Sequence, residues 1–361
     1  MKAAVCYEAG DALVVEEVTA EPPKQGEVMV EVGACAICQS DLHYMSGAWP
    51  GRPMPAVCGH EVAGTVSARG PEAGSFRDGD RVLVSLVRDC GQCRYCKAGA
   101  PYLCEGVLPL DQEARFHNAK GERVYQGLRT GGFAEQAVVH HSQVVPIPED
   151  LSFEQASLLA CGVLTGVGAV LNTARMTPGG SAAVIGTGGV GINCVQGAAI
   201  AGAETIIAID LEPAKFELAR ICGATHTLNP KEVDVVEAVA ELTGGFGADY
   251  VFVGAGSSQA MELGGEILSK LGTMVIASLP PAGVTARMQP RFVVNKNQTI
   301  MGSKMGSARL KDDVPRLIEL HREGRLKLAE LIAERFALED INQAIATAGS
   351  GAAARNVILF Q

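Results

Sequence analysis

The sequence predicts an α/β protein in which a β-rich part precedes a doubly wound parallel sheet, and three observations carry that prediction. Up to about residue 150, Gly and Pro punctuate short apolar runs, "EVMVEVGA", "HEVAGTV" and "DRVLVSLV", which read as strands joined by turns. From about 165, "SAAVIG", "ETIIAID", "DYVFVGA" and "GTMVIAS" alternate with stretches rich in Ala, Glu, Leu and Lys, the pattern of a parallel sheet with helices on both faces. The glycine-rich stretch "GTGGVG" directly follows the first of these strands and heads an Ala-rich helix.

The 361 residues suit about two domains, and 47% hydrophobic content fills their cores. The predicted division is a domain of 1–163 completed by the tail 305–361, and a dinucleotide-binding domain of 164–304, with the active site in the cleft. Within the tail, "LKDDVPRLIELHREGRLKLAELI" reads as a helix pair, and "LEDINQAIATAGSGAAARNVILF" as a helix and a terminal strand.

A formal charge of -10 and the absence of a Lys/Arg cluster argue against nucleic acid and anionic lipid as partners. The amino terminus lacks the apolar core of a signal peptide, and no stretch approaches the eighteen or so apolar residues of a membrane span, so a cytoplasmic protein is expected. Eleven cysteines in a reducing compartment are poor disulfide formers, which turns attention to metal or redox chemistry.

The glycine turn has its own chemistry. Gly186 permits a tight turn, Gly188 lets a pyrophosphate approach the backbone, and Gly191 lets helix and strand pack closely, with the anion on the helix N-terminus. The next strand ends in Asp210, nineteen residues beyond Gly191, where a carboxylate accepts ribose hydroxyls of NAD and repels the 2'-phosphate of NADP. Lys215 is a further ribose candidate; a lone helix lysine is otherwise merely solvated.

Two sets of metal donors stand out. Cys90, Cys93, Cys96 and Cys104 lie in one fifteen-residue run, a spacing that lets a single loop supply all four thiolates of a closed, structural zinc site. Cys38, His60 and Cys161 are dispersed; together they form the Cys2His set that leaves zinc one open position. Residue types alone leave equal room for a Cys35–Cys38 redox pair, and Cys58 sits two residues from His60.

Taken together, "CQSDLH", "GHEVAGTV", the four-cysteine run, "CGVLTG", "GTGGVG" with Asp210, and the ending "ARNVILF" resemble the zinc-dependent alcohol dehydrogenases of the medium-chain dehydrogenase/reductase family over nearly the whole chain. The resemblance implies a GroES-like catalytic domain and a Rossmann cofactor domain. It implies NAD as cofactor and two zinc ions per chain, the catalytic one on Cys38, His60 and Cys161, the structural one on Cys90, Cys93, Cys96 and Cys104. Glu61 matches a position that enters the catalytic zinc's coordination transiently, and Asp41 the acid that orients His60; its alternative is a helix cap. Ser40 and His43 match a proton relay, their alternatives being a helix N-cap and a solvated imidazole.

Thr165 and Val190 match residues behind the nicotinamide, although both could be plain core. Gly189 belongs to the same phosphate turn. Arg355 matches an arginine on the cofactor pyrophosphate; a surface Arg before an edge strand is the alternative. The implied reaction oxidises a primary or secondary alcohol to an aldehyde or ketone, and a homodimer or homotetramer is expected, with "NQTIMGSKMG" near its seam.

Departures from the family pattern are also visible. Gln39 stands where many relatives carry a basic residue. The segment following Cys104 resembles the longer class III form, which makes S-(hydroxymethyl)glutathione dehydrogenase the alternative activity; Glu105–Leu110 lacks the arginine those enzymes use for the glutathione carboxylate. Leu86, Trp49, Phe133 and Leu279 are expected to wall an apolar pocket. An alternative of another class is a non-catalytic zinc-lobe binding protein, but the lobe offers only Arg94 and Lys97 as basic groups.

Overall fold

The computed structural model describes residues 1–349, 351 and 355–360; Ala354 of the closing "ARNVILF" lies outside the described residues. The chain divides into two compact units, Met1–Cys161 with Arg309–Val314 and Ile332–Gln361, and Gly162–Ala308 with Pro315–Leu331. The tail from 305 is therefore shared, Pro315–Leu331 grouping with the second unit rather than completing the first.

In the first unit, Lys2–Cys6, Val14–Ala20, Phe116–Asn118, Arg123–Gln126 and Ala56–Val57 close a small barrel. Beside it runs a sheet in the order Val144–Pro146, Arg81–Val84, Glu61–Arg69, Glu27–Ala36, Arg355–Leu359, Ile332–Phe336, with Gln136–His140 also paired to Glu27–Ala36. Strands rich in Val and Ala, above all Lys2–Cys6, Glu27–Ala36 and Arg81–Val84, turn most of their side chains inward, so Val5, Val28, Val30, Val62, Val84, Phe116 and Val138 form a shared core. The charge at the start of Glu27–Ala36 is matched inside: Arg115 Nη2 and Nε donate to the two oxygens of Glu27 at 2.6 and 3.0 Å, a fork that anchors the segment after the four-cysteine loop.

In the second unit, six parallel strands lie in the order His226–Leu228, Thr205–Ile209, Ser181–Ile185, Ala248–Val253, Leu268–Ile276, Thr299–Gly302. The chain order reverses direction at Ser181–Ile185, the switch point where open parallel sheets bind ligands. No single helix among the described residues is long and apolar enough to cross a membrane.

One expected element differs. The first helix of the anticipated pair forms, Leu310–Arg322, but the second does not: Gly324 turns the chain at φ 71° and a 3-10 turn, Ala329–Leu331, leads into the strand Ile332–Phe336. Leu326 and Leu328 are buried two residues apart, a strand-like spacing that the helical reading of this Leu-rich stretch overlooked.

Candidate metal centres and dinucleotide site

Strand register brings the dispersed donors together. Glu27–Ala36 and Glu61–Arg69 pair antiparallel with Ala36 opposite Glu61, so Cys38, two residues past the first strand, and His60, one before the second, emerge at the same end. Cys161 follows the helix Phe153–Leu159, and Ser85 Oγ donates to the Ala160 carbonyl at 2.6 Å, fixing the peptide that delivers it. One ligand atom each from Cys38, His60, Glu61 and Cys161 lies within 4.8 Å of every other, all four residues being buried.

Asp41 organises this cluster. Its Oδ1 accepts from His60 Nδ1 and from the Gly59 amide, both at 2.9 Å, and its Oδ2 accepts from the Cys38 amide at 3.2 Å. Asp41 is thus both the His60 partner and a cap for the helix Gln39–Met45, so the two readings of it are one arrangement. With Nδ1 committed, His60 presents Nε2, which is buried without a hydrogen-bond partner. A buried imidazole nitrogen facing two sulfurs fits a tetrahedral zinc, and Asp41 sets its tautomer.

Cys161 hydrogen-bonds to Cys38, which together with the nearby His60 draws the Cys38 thiol well below its ordinary range. The same hydrogen bond and burial push Cys161 up. Burial pushes Glu61 up to about 7 against the opposing charge of Arg355.

Arg355, expected on a cofactor phosphate, bonds Glu61 Oε2 through Nη2. It is 4% exposed, so the surface alternative is excluded. Arg355–Leu359 pairs with the opposite edge of Glu27–Ala36, with Val357 opposite Ala36, which brings Arg355 to the same end as Cys38 and Glu61. The Glu61 Oε1 atom is left buried without a hydrogen-bond partner.

Ser40 and His43 lie one turn apart on Gln39–Met45, both half-buried. The N-cap is Cys38, so Ser40 is not the cap. The His43 ring rests against Trp49, centroids 5.3 Å apart, and Arg52 covers the Trp49 ring at 5.7 Å. Phe133 is not a pocket wall: it is fully buried in the barrel core, where a Cβ on Gly59 would meet its ring at 2.6 Å. Leu279 is 66% exposed, Trp49 buried and Leu86 half-buried.

The four-cysteine loop forms a second cluster, its sulfurs also within 4.8 Å of one another and half-exposed. Backbone amides point at the sulfurs, Cys90 N at Cys104 Sγ, Cys93 N at Cys90 Sγ and Gly106 N at Cys104 Sγ, each at 3.3 Å. Amide hydrogen bonds, chiefly from Cys96, hold the Cys93 thiol down to about 6, while burial and the hydrogen bond with Cys93 push the Cys96 thiol up to about 12. A fully thiolate donor set in a short loop fits a closed zinc site. No disulfide joins the eleven cysteines, and Cys35 does not pair with Cys38.

In the second unit, Gly186 turns at φ 83°, and a Cβ there would lie 2.7 Å from that of Ala255. A Cβ on Gly191 would stand 1.7 Å from the Gly186 carbonyl, so only glycine lets the helix Gly191–Ala201 start this close to the strand. A Cβ on Gly188 would meet nothing within 4 Å, and this open face above a helix N-terminus fits a dinucleotide phosphate. Val190 is the N-cap, the Gly189 carbonyl accepts from Asn193 Nδ2 at 2.8 Å, and buried Thr165 meets Met305 Sδ at 3.7 Å.

Asp210, just past Thr205–Ile209, is 8% exposed and densely held. Its Oδ2 accepts from the Thr187 amide at 2.7 Å and the Thr187 hydroxyl at 3.0 Å, its Oδ1 from the Glu212 amide at 3.0 Å, and Lys215 Nζ reaches both oxygens at 3.2 Å. Burial works against ionisation, yet the amides of Thr187 and Glu212, with Lys215, hold Asp210 below the usual carboxylate range. Thr187 was missed from sequence, because the residue between the first two glycines carries no fixed identity in the motif.

Two family models match the chain, the alcohol dehydrogenase GroES-like domain over residues 24–149 and the zinc-binding dehydrogenase over 189–323. An S-(hydroxymethyl)glutathione dehydrogenase of Synechocystis sp. is 36% identical over 370 residues, covering 99% of each chain. The alcohol dehydrogenase zinc-binding domain protein of Burkholderia ambifaria has a TM-score of 0.95 at 34% identity, over 100% of this chain and 98% of its own. The benzyl alcohol dehydrogenase of Acinetobacter calcoaceticus has a TM-score of 0.92 at 30% identity, over 100% and 99%.

Proposed function

The chain belongs to the zinc-dependent alcohol dehydrogenases of the medium-chain dehydrogenase/reductase family, and from that premise we propose that it oxidises a primary or secondary alcohol to an aldehyde or ketone with NAD as hydride acceptor. The observation that carries this reading is the buried convergence of Cys38, His60, Glu61 and Cys161, with His60 Nε2 unpartnered.

Cys38, His60 and Cys161 would hold the catalytic zinc, and Cys90, Cys93, Cys96 and Cys104 the structural one. Zinc supplies Lewis-acid polarisation of the alcohol oxygen, and NAD supplies the hydride acceptor. The protein's part is placement and proton transfer. Asp41 keeps the His60 ring turned so that Nε2 faces the sulfurs. Ser40 would begin the proton relay from the alcohol, and His43, the half-buried imidazole one helical turn further on, would end it. Gly186, Gly188, Gly189 and Gly191 receive the pyrophosphate, Asp210 and Lys215 the ribose, and Thr165 and Val190 the nicotinamide. Arg355 holds Glu61 beside the catalytic donors.

A second reading, S-(hydroxymethyl)glutathione oxidation, is favoured by the name of the Synechocystis relative. A panel of alcohols assayed with NAD, with and without glutathione plus formaldehyde, separates the two. A strict glutathione requirement establishes the second, and no NADH formation with any substrate ends both. Zinc analysis should find about two ions per chain. A cytoplasmic homodimer or homotetramer is the assembly we assign, supported by the edge position of Thr299–Gly302 in its sheet and checked by sedimentation.

A further inference from the structure

We propose that Thr187 is the positioning residue that sets this protein's preference between NAD and NADP, by fixing the orientation of the Asp210 carboxylate independently of Lys215. The inference rests on the dinucleotide reading above and adds to it a role for the residue between the first two glycines.

An aspartate at the end of this strand excludes a 2'-phosphate only while its charge stays directed at the ribose. Here that charge has a competitor. Lys215 Nζ sits 3.2 Å from both oxygens, so a mobile carboxylate could follow the lysine away, and the ammonium could itself receive a phosphate. Two donors from Thr187 prevent this: its amide and its hydroxyl both bind Oδ2, at 2.7 and 3.0 Å. Thr187 is 2% exposed, so its hydroxyl is spent on this contact away from water.

The acceptor count then assigns the ribose contact. A carboxylate offers about four lone-pair directions, two on each oxygen. Thr187 directs two donors at Oδ2 and the Glu212 amide one at Oδ1 at 3.0 Å, while Lys215 Nζ straddles both oxygens at the longer 3.2 Å. The remaining direction on Oδ1 is shared with Lys215, the one partner that is a flexible side chain. A ribose hydroxyl therefore enters at Oδ1 as Lys215 swings aside, while Thr187 holds Oδ2 still. A β-branched residue without a hydroxyl would keep the packing and lose half of that hold.

The test is equilibrium binding of NADH and NADPH, followed by nucleotide fluorescence, to the wild-type protein and to Thr187→Val, Thr187→Ala and Thr187→Ser, each first checked for folding by its thermal transition. The smaller Thr187→Ala keeps the test alive should the valine not fold. Val and Ala should narrow the preference for NADH over NADPH by about tenfold, the scale of one hydrogen bond to a charged group. Ser should restore it. An unchanged ratio in Val and Ala, or equal weakening of both dinucleotides, overturns the proposal while leaving the dehydrogenase reading intact. A wild-type protein that binds neither dinucleotide overturns both.

Discussion

His60 shows how one residue's surroundings decide its chemistry. Its Nδ1 is taken by Asp41 at 2.9 Å, and its Nε2 has no hydrogen-bond partner in a fully buried site, so the ring is a prepared donor rather than a core histidine. Asp41→Asn keeps the shape but replaces one acceptor oxygen by an NH2 group among three donors. We expect catalytic-zinc affinity or turnover to fall roughly 10–100-fold, read by zinc content after dialysis and by kcat, with the lobe zinc retained. Cys38→Ser should abolish turnover in a chain that keeps its melting transition; undiminished activity would remove Cys38 from the ligand set. Arg355 makes the complementary case. Replacing it by Met leaves the Glu61 carboxyl, already raised to about 7, buried beside Cys38 without its counter-charge, so it takes up a proton and stability should fall by about 1–3 kcal/mol in denaturant titration. Adding Glu61→Gln should recover much of that loss, and no recovery would show that packing rather than charge was removed.

Among elements, the four-cysteine loop was the most legible from sequence, because all its donors lie in one short run whose spacing is itself the constraint. What sequence did not show is how closely the loop's own backbone crowds the sulfurs. A Cβ on Gly106 would sit 2.5 Å from the Cys90 Cβ and 2.6 Å from its Sγ, where neither atom can move while bound to a common cation. Gly106→Ala should therefore loosen the lobe by steric contact, costing about 1–3 kcal/mol and speeding zinc loss to a chelator, whereas Ala at Gly91, with nothing within 4 Å but a φ of 67°, should cost only the backbone strain of a left-handed residue. Equal chelation rates for Gly106→Ala and wild type would count against this account. The dispersed donors were less legible because their meeting depends on strand register, Ala36 opposite Glu61 and Val357 opposite Ala36, which residue spacing does not encode. The Glu61–Arg355 pair, 294 residues apart, is the extreme case. Phe133 failed for a different reason: an apolar aromatic has the same appearance in a pocket wall and in a barrel core, and only the neighbours Gly59 and Cys58 decide between them.

At the scale of the whole molecule, alternating strands and helices made the parallel sheet and its glycine turn readable, while the divided tail was not, since Pro315–Leu331 groups with its unit through contacts distant in sequence. Stability against acid is another property that no local motif announces. His140 Nδ1 accepts from the Ser142 hydroxyl at 2.8 Å and from the Ser142 amide at 3.3 Å, and an amide can only donate, so this nitrogen must stay unprotonated in the folded state. Burial, the adjacent His141 ring at 4.3 Å and the charge of Arg88, only partly offset by Glu27, push His140 down to about 4. The unfolded imidazole titrates near 6.5. Between pH 4 and 6.5 the unfolded chain thus binds more protons than the folded one, so this contribution to stability is complete above 6.5 and is lost as the pH falls toward 4. Melting temperatures measured from pH 7.5 to 4.5 should drop more steeply for the wild type than for His140→Asn, whose amide oxygen keeps the Ser142 contact without gaining a proton. Parallel curves would show that the acid sensitivity arises elsewhere.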